Sequence, residues 1–373
     1  MYPNLELVKA HCHVLPLEEK LLLSPEAPIV LLKQIKNLDI IPCGVVSAPL
    51  AFQDWGEQYQ NPYLGIMLPY TPLHYILIKE LGFPIVATSG NLSGEPICID
   101  NEEALQKLNG IADLFLFHDR PIARPIDDSI VRVMAGREQI IRRARGYAPL
   151  PIHCPYLDRK QETLQPILAT GGQLKNAIAF LHDGQIFLSQ HIGDLESIAT
   201  YKRFQKAITY FQQLYELKPV EVVCDLHPHY FSTQYAKQLQ IPLTPVQHHY
   251  AHVLSCMADN NLKKRESVLG VAWDGTGYGF DGTIWGGEFL QLTDTYFYRV
   301  AHLKTFQLPG GEKAIEEPKR IAISLLYQVL GEKIFSETSE FAYLPCISAF
   351  TRQELTILRH NNCQVGKKPF DSR

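Results

Sequence analysis

The chain has 373 residues, of which 46% are apolar, and carries 35 basic and 39 acidic side chains for a net charge of −4. At roughly 150 residues per domain this length predicts two or three domains, and the apolar content excludes a disordered or fibrous chain. The near balance of charge excludes a global attraction for nucleic acid or for an anionic membrane surface. No run of about 18 apolar residues and no basic-then-apolar leader occurs, so we expect a cytoplasmic protein with no membrane partner.

The first part of the chain alternates short apolar runs with helical patterns, an order that predicts an α/β sheet domain. The apolar runs are typical of strands at 28–32, 83–89, 113–118 and 127–136, and the helical patterns lie at 71–82 and 101–112. A proline-rich segment around residues 149–155 has no clear period of 2 or 3.6. We therefore predict a boundary there, with one domain at 1–153 and a second at 165–373.

The second part begins with three consecutive strand candidates, at 166–172, 176–184 and 185–193. A helix is predicted next, because apolar side chains at spacings of 3, 4, 3 and 4 form one stripe: Tyr201, Phe204, Ile208, Phe211 and Tyr215. Strands are then expected at 220–226, 243–247 and 268–275, with helices at 232–240 and 249–261. This order, β-β-β-α-β-α-β-α, is that of a ribonuclease-H-like lobe of actin-like proteins, and the strand ending at 275 is expected to open a second lobe.

His248 and His252 stand four residues apart at the start of the last of these helices. Side chains at that spacing share one helix face, with Cβ atoms about 5–6 Å apart, so two imidazoles can reach one metal ion, whereas His249 is expected to point elsewhere. Asp274 lies at the carboxyl end of the next strand, where open α/β sheets bind ligands. The three residues predict an open catalytic site for a divalent metal; the alternative is that the histidines are ordinary surface or core residues.

A glycine-rich segment begins at Asp274 and has glycine at 275, 277, 279, 282, 286 and 287. Such a turn after an apolar strand exposes backbone N–H groups that can hold phosphates, which makes Gly275, Thr276 and Gly277 candidate cofactor-binding residues. The alternative, weighted equally, is a pair of β-hairpin turns, because Asp-Gly occurs twice. A similar segment at 170–177 occupies the matching turn of the first lobe.

The loop at 88–96 brings hydroxyl, amide and glycine groups together after a predicted strand. Such a loop suits an adenylate or a phosphate, and the alternative is an ordinary polar loop. Its candidate cofactor-binding residues are Thr88, Ser89, Asn91 and Ser93.

Seven arginines crowd the segment from 120 to 145. A planar guanidinium binds phosphate through two hydrogen bonds, so Arg142, Arg143 and Arg145 are candidates for the same nucleotide site, although an arginine run is often a solvated face. Asp127 and Asp128 are expected either to pair with some of these arginines or to hold Mg²⁺ beside the nucleotide phosphates, and Asp128 is included among the cofactor-binding candidates.

Two sets of segments resemble one known family. In the first domain they are MLPYTPLHYIL, TSGNLSGEPI, HDRPIARPIDDSIVR and IIRRARGYAP. In the second they are ATGGQLKNA, LSQHIGDL, CDLHPHY, VQHHYAH, AWDGTGYG and LPGGEKAI. The first set is similar to the YrdC-like adenylate-forming domain of the hydrogenase maturation carbamoyltransferases, the HypF family, and the second to the actin-like domain of the same proteins. The resemblance covers about residues 25–335, and VQHHYAH followed by WDGTGYG is its most specific part.

This resemblance implies an ATP-dependent carbamoyltransferase. In the family, the first domain makes carbamoyl-adenylate from ATP and the carbamoyl group of carbamoyl phosphate, with Mg²⁺ at the nucleotide. The second domain carries a divalent metal, for which iron or zinc suits the ligands, and passes the carbamoyl group to the C-terminal cysteine of the partner HypE, which converts it to the cyanide ligand of nickel–iron hydrogenases. The metal-binding histidines of the family correspond to His248 and His252, and its aspartate to Asp274.

The chain departs from the family pattern at both ends. It has no acylphosphatase-like domain, no zinc-finger modules and no lysine- and arginine-rich segment at the opening of the YrdC-like domain, and the pattern fades before the end of the actin-like domain. We therefore expect a YrdC-like domain without its N-terminal part and an actin-like domain with an incomplete second lobe. We also expect that this chain alone does not complete the reaction from carbamoyl phosphate. The alternative functions are tRNA threonylcarbamoyladenosine biosynthesis and a catalytically incomplete remnant.

Overall fold

The computed structural model describes residues 1–35, 61–153, 165–262, 267–293, 296–336, 341 and 343–364. The chain divides into two compact units, Met1–Val246 and Gln247–Arg373. Among the described residues, no helix is both long enough and apolar enough to cross a bilayer.

The first unit opens with a five-stranded sheet and four helices. Its strands are β1 (Cys12–His13), β2 (Ile29–Gln34), β3 (Tyr63–Ile66), β4 (Ile130–Met134) and β5 (Arg137–Arg142), and its helices are α1 (Leu5–His11), α2 (Pro16–Leu22), α3 (Pro72–Leu81) and α4 (Asn101–Lys107). The sheet order is β1-β2-β4-β5, and β3 pairs with β2. Alternate residues of β2 point into the core, where Val30 and Leu32 pack with Val8, Ile66 and Val131.

Two predicted strands of this region are wrong. Residues 83–89 and 113–118 form no strand in the structure, and apolar side chains in them are exposed, with Val86 at 74% and Leu114 at 90%. An apolar run becomes a strand only when a neighbouring strand satisfies its backbone hydrogen bonds, and within the described part of the chain no strand pairs with either segment. The predicted helix at 71–82 is confirmed by α3, and the one at 101–112 is shorter, ending with α4 at Lys107.

A second sheet of the same unit has six strands. They are β6 (Pro151–His153), β7 (Ile167–Ala169), β8 (Ala179–His182), β9 (Gln185–Leu188), β10 (Glu221–Asp225) and β11 (Leu243–Val246), in the order β11-β10-β7-β8-β9-β6. Strands β7, β10 and β11 are parallel, whereas β8 and β9 continue from β7 as antiparallel hairpins. With helices α5 (Ile198–Leu214) and α6 (Phe231–Gln238), this is the element order predicted for the ribonuclease-H-like lobe. Strand β6 pairs with β9, so residues 151–153 belong to this sheet, and the predicted bounds 1–153 and 165–373 stay a prediction.

Helix α5 covers the second sheet with the predicted stripe. Phe204, Ile208 and Phe211 are buried in one cluster with side chains of β7, β8 and β10, and Tyr201 and Tyr215 pack against its edge. The helix starts at Ser197, whose hydroxyl accepts a hydrogen bond from the Thr200 backbone N–H, as N-capping serines do. Tertiary packing of this single apolar face is what holds the helix on the sheet.

The second unit joins a small sheet to a group of helices. Its elements are α7 (His248–Asp259), β12 (Val268–Ala272), β13 (Gly277–Tyr278), β14 (Ile284–Trp285), β15 (Glu288–Leu292), β16 (Phe297–His302), α8 (Glu312–Glu316), α9 (Pro318–Leu330), a 3-10 helix (Gly331–Phe335), α10 (Pro345–Ser348) and α11 (Arg352–Gln364). Strands β12, β15 and β16 form an antiparallel sheet in that order, and β13 pairs with β14 as a separate hairpin.

One face of the three-stranded sheet is covered and the other is open. Helix α7 packs Val253 and Met257 against Leu290, Leu292 and Phe297 on the covered face. The opposite face, here called the outer face, carries exposed large apolar side chains: Leu269, Val271, Trp273, Tyr298 and Val300. Strand β12 therefore alternates between a buried and an exposed apolar side chain, which is why its sequence reads as a continuous apolar run.

Replacement of Phe204 by alanine is expected to destabilise the first unit by about 3–5 kcal/mol, because a fully buried aromatic ring is lost from its largest core cluster. The matched control is Ile198→Ala in the same helix, where the side chain is 77% exposed, and we expect that change to stay within about 0.5 kcal/mol. Urea unfolding followed by circular dichroism measures both. Equal effects of the two substitutions would contradict the packing described for α5.

Candidate functional site

Three predicted ligands converge at the start of α7. The Nε2 atoms of His248 and His252 are 3.2 Å apart, and they lie 3.1 and 3.5 Å from Oδ2 of Asp274. All three ligand atoms lie within 4.8 Å of one another. Among the described residues, this is the one group of three His, Cys, Asp or Glu side chains that meets in this way.

Local sequence explains the convergence. Gln247 caps α7 by accepting the Tyr250 backbone N–H on its side-chain oxygen, so the helix begins at His248 and the two histidines share one face a turn apart. Asp274 follows β12, and its Oδ1 accepts the backbone N–H of Gly275, which leaves Oδ2 turned to the imidazoles. His248, His252 and Asp274, here called the triad, therefore depend on where α7 begins and where β12 ends.

These three residues fit a divalent metal ion. Asp274 Oδ2 is buried and, within the described part of the chain, has no well-aligned hydrogen-bond donor, although three imidazole nitrogens lie within 3.8 Å of it. The Nε2 atoms of His248 and His252, 3.1 and 3.5 Å from Oδ2, hold the pKa of Asp274 far below its usual range, so the carboxylate is charged at neutral pH. Two imidazoles and one carboxylate are a donor set that suits zinc or iron and leaves coordination positions open.

The prediction that His249 points elsewhere is wrong. Its ring is fully buried, with Nε2 3.8 Å from Asp274 Oδ2 and Nδ1 3.0 Å from Nε2 of Gln247. Because the Gln247 amide nitrogen can only donate, His249 Nδ1 accepts and Nε2 carries the proton on the side of the carboxylate. Burial lowers the pKa of His249, which keeps the ring neutral. The i, i+4 rule missed this residue because Asp274 lies beside the first turn of α7, within reach of adjacent positions as well.

The glycine-rich segment forms a hairpin next to the triad. Strand β13 pairs with β14 through Gly277 and Trp285, and Gly282, with φ at +74°, turns the chain between them. The hairpin that we considered as the alternative is thus present for the second Asp-Gly. The close packing of His249 is reason enough for glycine at position 277, since a Cβ there would lie 2.4 Å from Cε1 of His249. Phosphate binding by Gly275, Thr276 and Gly277 stays a prediction.

The matching turn of the first lobe is held by an asparagine. The side-chain amide of Asn176, which is buried, donates to the carbonyl oxygens of Thr170 at 2.9 Å and Gly172 at 2.6 Å. Gly171, with φ at +70°, packs directly against the carbonyl of Ala177. These contacts of Asn176 and Gly171 hold the turn at 170–177 in one conformation.

In the first domain, the loop at 88–96 presents its hydroxyl groups to solvent. Thr88, Ser89 and Ser93 are exposed. Asn91 is half-buried and donates its amide to the carbonyls of Leu92 and Glu95, so it shapes the loop from inside.

The arginines that follow have acceptors of their own. Arg145 donates to Asp128 at 2.8 Å and to the carbonyl of Ala27 at 2.7 Å, and its guanidinium lies 3.5 Å from the centre of the Tyr70 ring. Arg143 donates to the carbonyl oxygens of Tyr147 and Leu150.

Both aspartates of the segment form ion pairs: Asp128 pairs with Arg145, and Asp127 with Arg203. Pairing with an arginine of the 120–145 segment, one of the two expectations for these carboxylates, is therefore confirmed for Asp128, whereas the partner of Asp127 lies outside that segment. Arg142 ends β5, opposite Ile130.

The structure does not join the two halves of the predicted adenylate site. Among the described residues, no hydrogen bond or ion pair links the loop at 88–96 to Arg142, Arg143 or Arg145. Tyr70, which the sequence did not single out, lies under Arg145 and beside His74 with ring centres 4.8 Å apart. Its position in MLPYTPLHYIL was the available signal. The adenylate site stays a prediction.

Three family models match the chain in sequence order. The Sua5–YciO–YrdC model, described as "Telomere recombination", matches residues 1–144. The model described as "HypF Kae1-like domain" matches 162–259, and "Carbamoyltransferase, Kae1-like Domain, second subdomain" matches 270–365. His248 and His252 fall in the second match and Asp274 in the third.

The chain belongs to the HypF family. It is 50% identical over 338 residues to "Carbamoyltransferase HypF" of Synechocystis sp., covering 91% of this chain and 42% of that protein. It is 36% identical over 357 residues to "Probable carbamoyltransferase HypF" of Methanocaldococcus jannaschii, covering 94% of this chain and 43% of that protein. The chain thus spans less than half the length of these two HypF relatives.

Two solved HypF structures have the same fold. One is described as full-length HypF in the phosphate- and nucleotide-bound form and matches with a TM-score of 0.82 at 43% identity, covering 97% of this chain and 53% of that one. The other is HypF of T. kodakarensis, with a TM-score of 0.81 at 33% identity, covering 97% of this chain and 46% of that one. The predicted fold class, a YrdC-like α/β domain followed by an actin-like domain, is confirmed. The tRNA threonylcarbamoylation alternative is not favoured.

The triad predicts a measurable metal content. We expect the chain to bind one divalent ion and the His248→Ala/His252→Ala variant to lose it, because two of three ligands are removed. His302→Ala is the control, since this exposed imidazole lies at the end of β16 and not in the triad. Elemental analysis after incubation with zinc and removal of free ion measures the content. Equal metal in the wild type and the double variant would show that the triad does not bind it.

Proposed function

We propose that this chain carries out the transfer step of a HypF-type carbamoyltransferase, starting from carbamoyl-adenylate, the intermediate that the family makes from ATP and carbamoyl phosphate. The acceptor is the C-terminal cysteine of a HypE partner. The observation that carries the proposal is the convergence of His248, His252 and Asp274 in a chain of the HypF family. Relatives at up to 50% identity are named carbamoyltransferases, which supports the reaction class.

For the first domain, we infer a site for the adenylate. The hydroxyls of Thr88, Ser89 and Ser93 are free to face a ligand, on a loop that Asn91 shapes from inside. Phosphate contacts from Arg142, Arg143 and Arg145 and a Mg²⁺ ion beside Asp128 complete the proposed site, since guanidinium groups suit phosphate. One solved HypF structure is described as phosphate- and nucleotide-bound, which supports nucleotide binding in this family.

For the second domain, we infer that His248, His252 and Asp274 hold the divalent ion. When bound, such an ion supplies Lewis acidity toward a carbonyl or phosphoryl oxygen. The neutral ring of His249 closes the buried side of the triad, so ligands reach it from the side of His252, which is exposed. Backbone N–H groups of Thr276 and Gly277 are proposed to face the phosphate of the adenylate, whereas that of Gly275 donates to Oδ1 of Asp274. The partner's cysteine attacks the carbamoyl carbon as thiolate, because the thiol itself is a poor nucleophile. The new C–S bond replaces the bond between the carbamoyl carbon and the phosphate oxygen, and AMP leaves.

The direct experiment is a transfer assay. The chain is incubated with synthetic carbamoyl-adenylate, a divalent metal and HypE, and mass spectrometry measures addition of one carbamoyl group to the C-terminal cysteine. We expect transfer with the wild type, and a drop of at least about 100-fold with His248→Ala/His252→Ala, because the ion's ligands are gone. His302→Ala serves again as the control. Transfer at equal rates in all three proteins would contradict the proposed role of the triad.

The adenylate site is tested separately by calorimetry with a non-hydrolysable carbamoyl-adenylate analogue. A charge-assisted bond to phosphate contributes about 1.5–3 kcal/mol, so Arg143→Ala is expected to weaken binding about 10–100-fold. Ser89→Ala, which removes a neutral hydroxyl, is expected to weaken it only a few-fold. Arg137→Ala, at the opposite end of β5, is the control. Unchanged affinity in both site variants would place the adenylate elsewhere.

A further inference from the structure

A buried carboxylate lies close to the triad without belonging to it. Glu288 is fully buried and accepts two hydrogen bonds from Arg299, at 2.6 Å from Nε and 2.9 Å from Nη2. It also accepts the backbone N–H of Gly286 at 2.9 Å. A buried charge is tolerated when it is paired and its remaining lone pairs are satisfied, and this carboxylate has both.

Arg299 reaches Glu288 because of an irregularity in the sheet. The register of β15 and β16 shifts between Phe289 and Leu290, so that Arg299 lies opposite Leu290 while Glu288 lies opposite His302. A bulge of this kind redirects a side chain at the edge of a sheet. The Arg299 guanidinium lies 4.1 Å from the centre of the Trp285 ring, which fixes it from a second side.

The pair is connected to Asp274 through the backbone. In the pairing of β12 with β15, Glu288 lies opposite Ala272. Ala272 is two residues before Asp274 in the chain. Gly286, whose N–H is held by Glu288, packs against that strand end: a Cβ on Gly286 would lie 2.8 Å from the carbonyl oxygen of Asp274 and 2.9 Å from that of Gly275. Movement of Gly286 therefore moves the backbone that carries the Asp274 carboxylate.

A third contact braces the same turn. Trp285 Nε1 donates to Oδ1 of Asp281 at 3.0 Å, and the same oxygen accepts the backbone N–H of Thr283. The hairpin between β13 and β14 is thereby tied to the indole that lies against Arg299.

We propose that Glu288 and Arg299 are positioning residues of the metal centre, which hold Gly286 against the strand end so that Asp274 faces His248 and His252. Neither residue is among the three ligands. The inference rests on the proposed metal site and adds to it a supporting shell of the kind that commonly affects metal affinity about 10–100-fold.

Cobalt provides a readout that is independent of activity. The metal-free protein is titrated with Co²⁺, and its visible absorption reports both affinity and coordination geometry. We expect Arg299→Gln to weaken cobalt binding about 10–100-fold and to change the spectrum, because Glu288 loses its charged partner and releases Gly286. Glu288→Gln is expected to act in the same direction. In the Glu288→Gln/Arg299→Gln protein two neutral amides can pair, so its loss is expected to be smaller than the product of the single losses.

A stability control separates positioning from general damage. Ile347→Ala removes a buried side chain from the helical cluster of the same unit, and we expect it to lower the melting temperature without changing cobalt affinity or the spectrum. Arg299→Lys keeps the charge but loses the two-bond geometry, so it is expected to fold and to bind cobalt several-fold more weakly than the wild type. It therefore provides the comparison if Arg299→Gln does not fold.

The outcomes are distinguishable. Cobalt binding by the wild type with unchanged affinity and spectrum in Arg299→Lys, or in a folded Arg299→Gln, overturns the positioning role and leaves the triad intact. Failure of the wild type itself to bind cobalt overturns the proposed metal site and, with it, this inference. An altered spectrum in Ile347→Ala equal to that in Arg299→Gln also overturns the inference, because any loss of stability would then produce the effect.

Discussion

The proposed metal centre depends on how closely helix α7 approaches the strands beneath it. A Cβ at Gly270 would lie 2.5 Å from both Cγ atoms of Val253, and one at Gly277 would lie 2.4 Å from the ring of His249. A real Cβ does not tolerate either distance, so the helix lies at this depth only because glycine occupies both positions. With α7 any farther out, the two imidazoles of its first turns would no longer reach a carboxylate at the end of β12.

Charge is arranged around one anion at this site. Asp274 is the carboxylate among three imidazoles, and because its pKa is depressed it stabilises the folded state at pH values above the pKa that it has in the unfolded chain. That contribution disappears as the pH falls through the folded-state value. Burial lowers the pKa of His249, so the imidazole on the buried side of the triad is neutral. The site therefore offers a charged carboxylate beside imidazole nitrogens, a donor set that suits a divalent cation.

Features set by nearby residues were predictable from the sequence, whereas features that depend on distant partners were not. The stripe of Phe204, Ile208 and Phe211 and the i, i+4 histidines follow from helix geometry, and both appear as expected. The apolar runs at 83–89 and 113–118 have the composition of strands. A strand also needs a neighbouring strand to pair with, and the local sequence does not show whether one is present. The same limit hid the part played by His249, and it left open which acceptors Arg143 and Arg145 would find.

The second unit contains two tryptophans in different surroundings, Trp273 on the outer face and Trp285 in the β13–β14 hairpin. Trp273 lies on the outer face with 69% of its surface exposed, whereas Trp285 is 6% exposed and lies under Arg299. With Trp55 replaced by phenylalanine, collisional quenchers such as acrylamide would reach the first indole readily and the second hardly at all. A protein that covers the outer face would shift the emission of Trp273 toward shorter wavelength, while a rearrangement at Gly286 would register in Trp285. Tryptophan emission could therefore distinguish an association on one side of this sheet from a local change on the other.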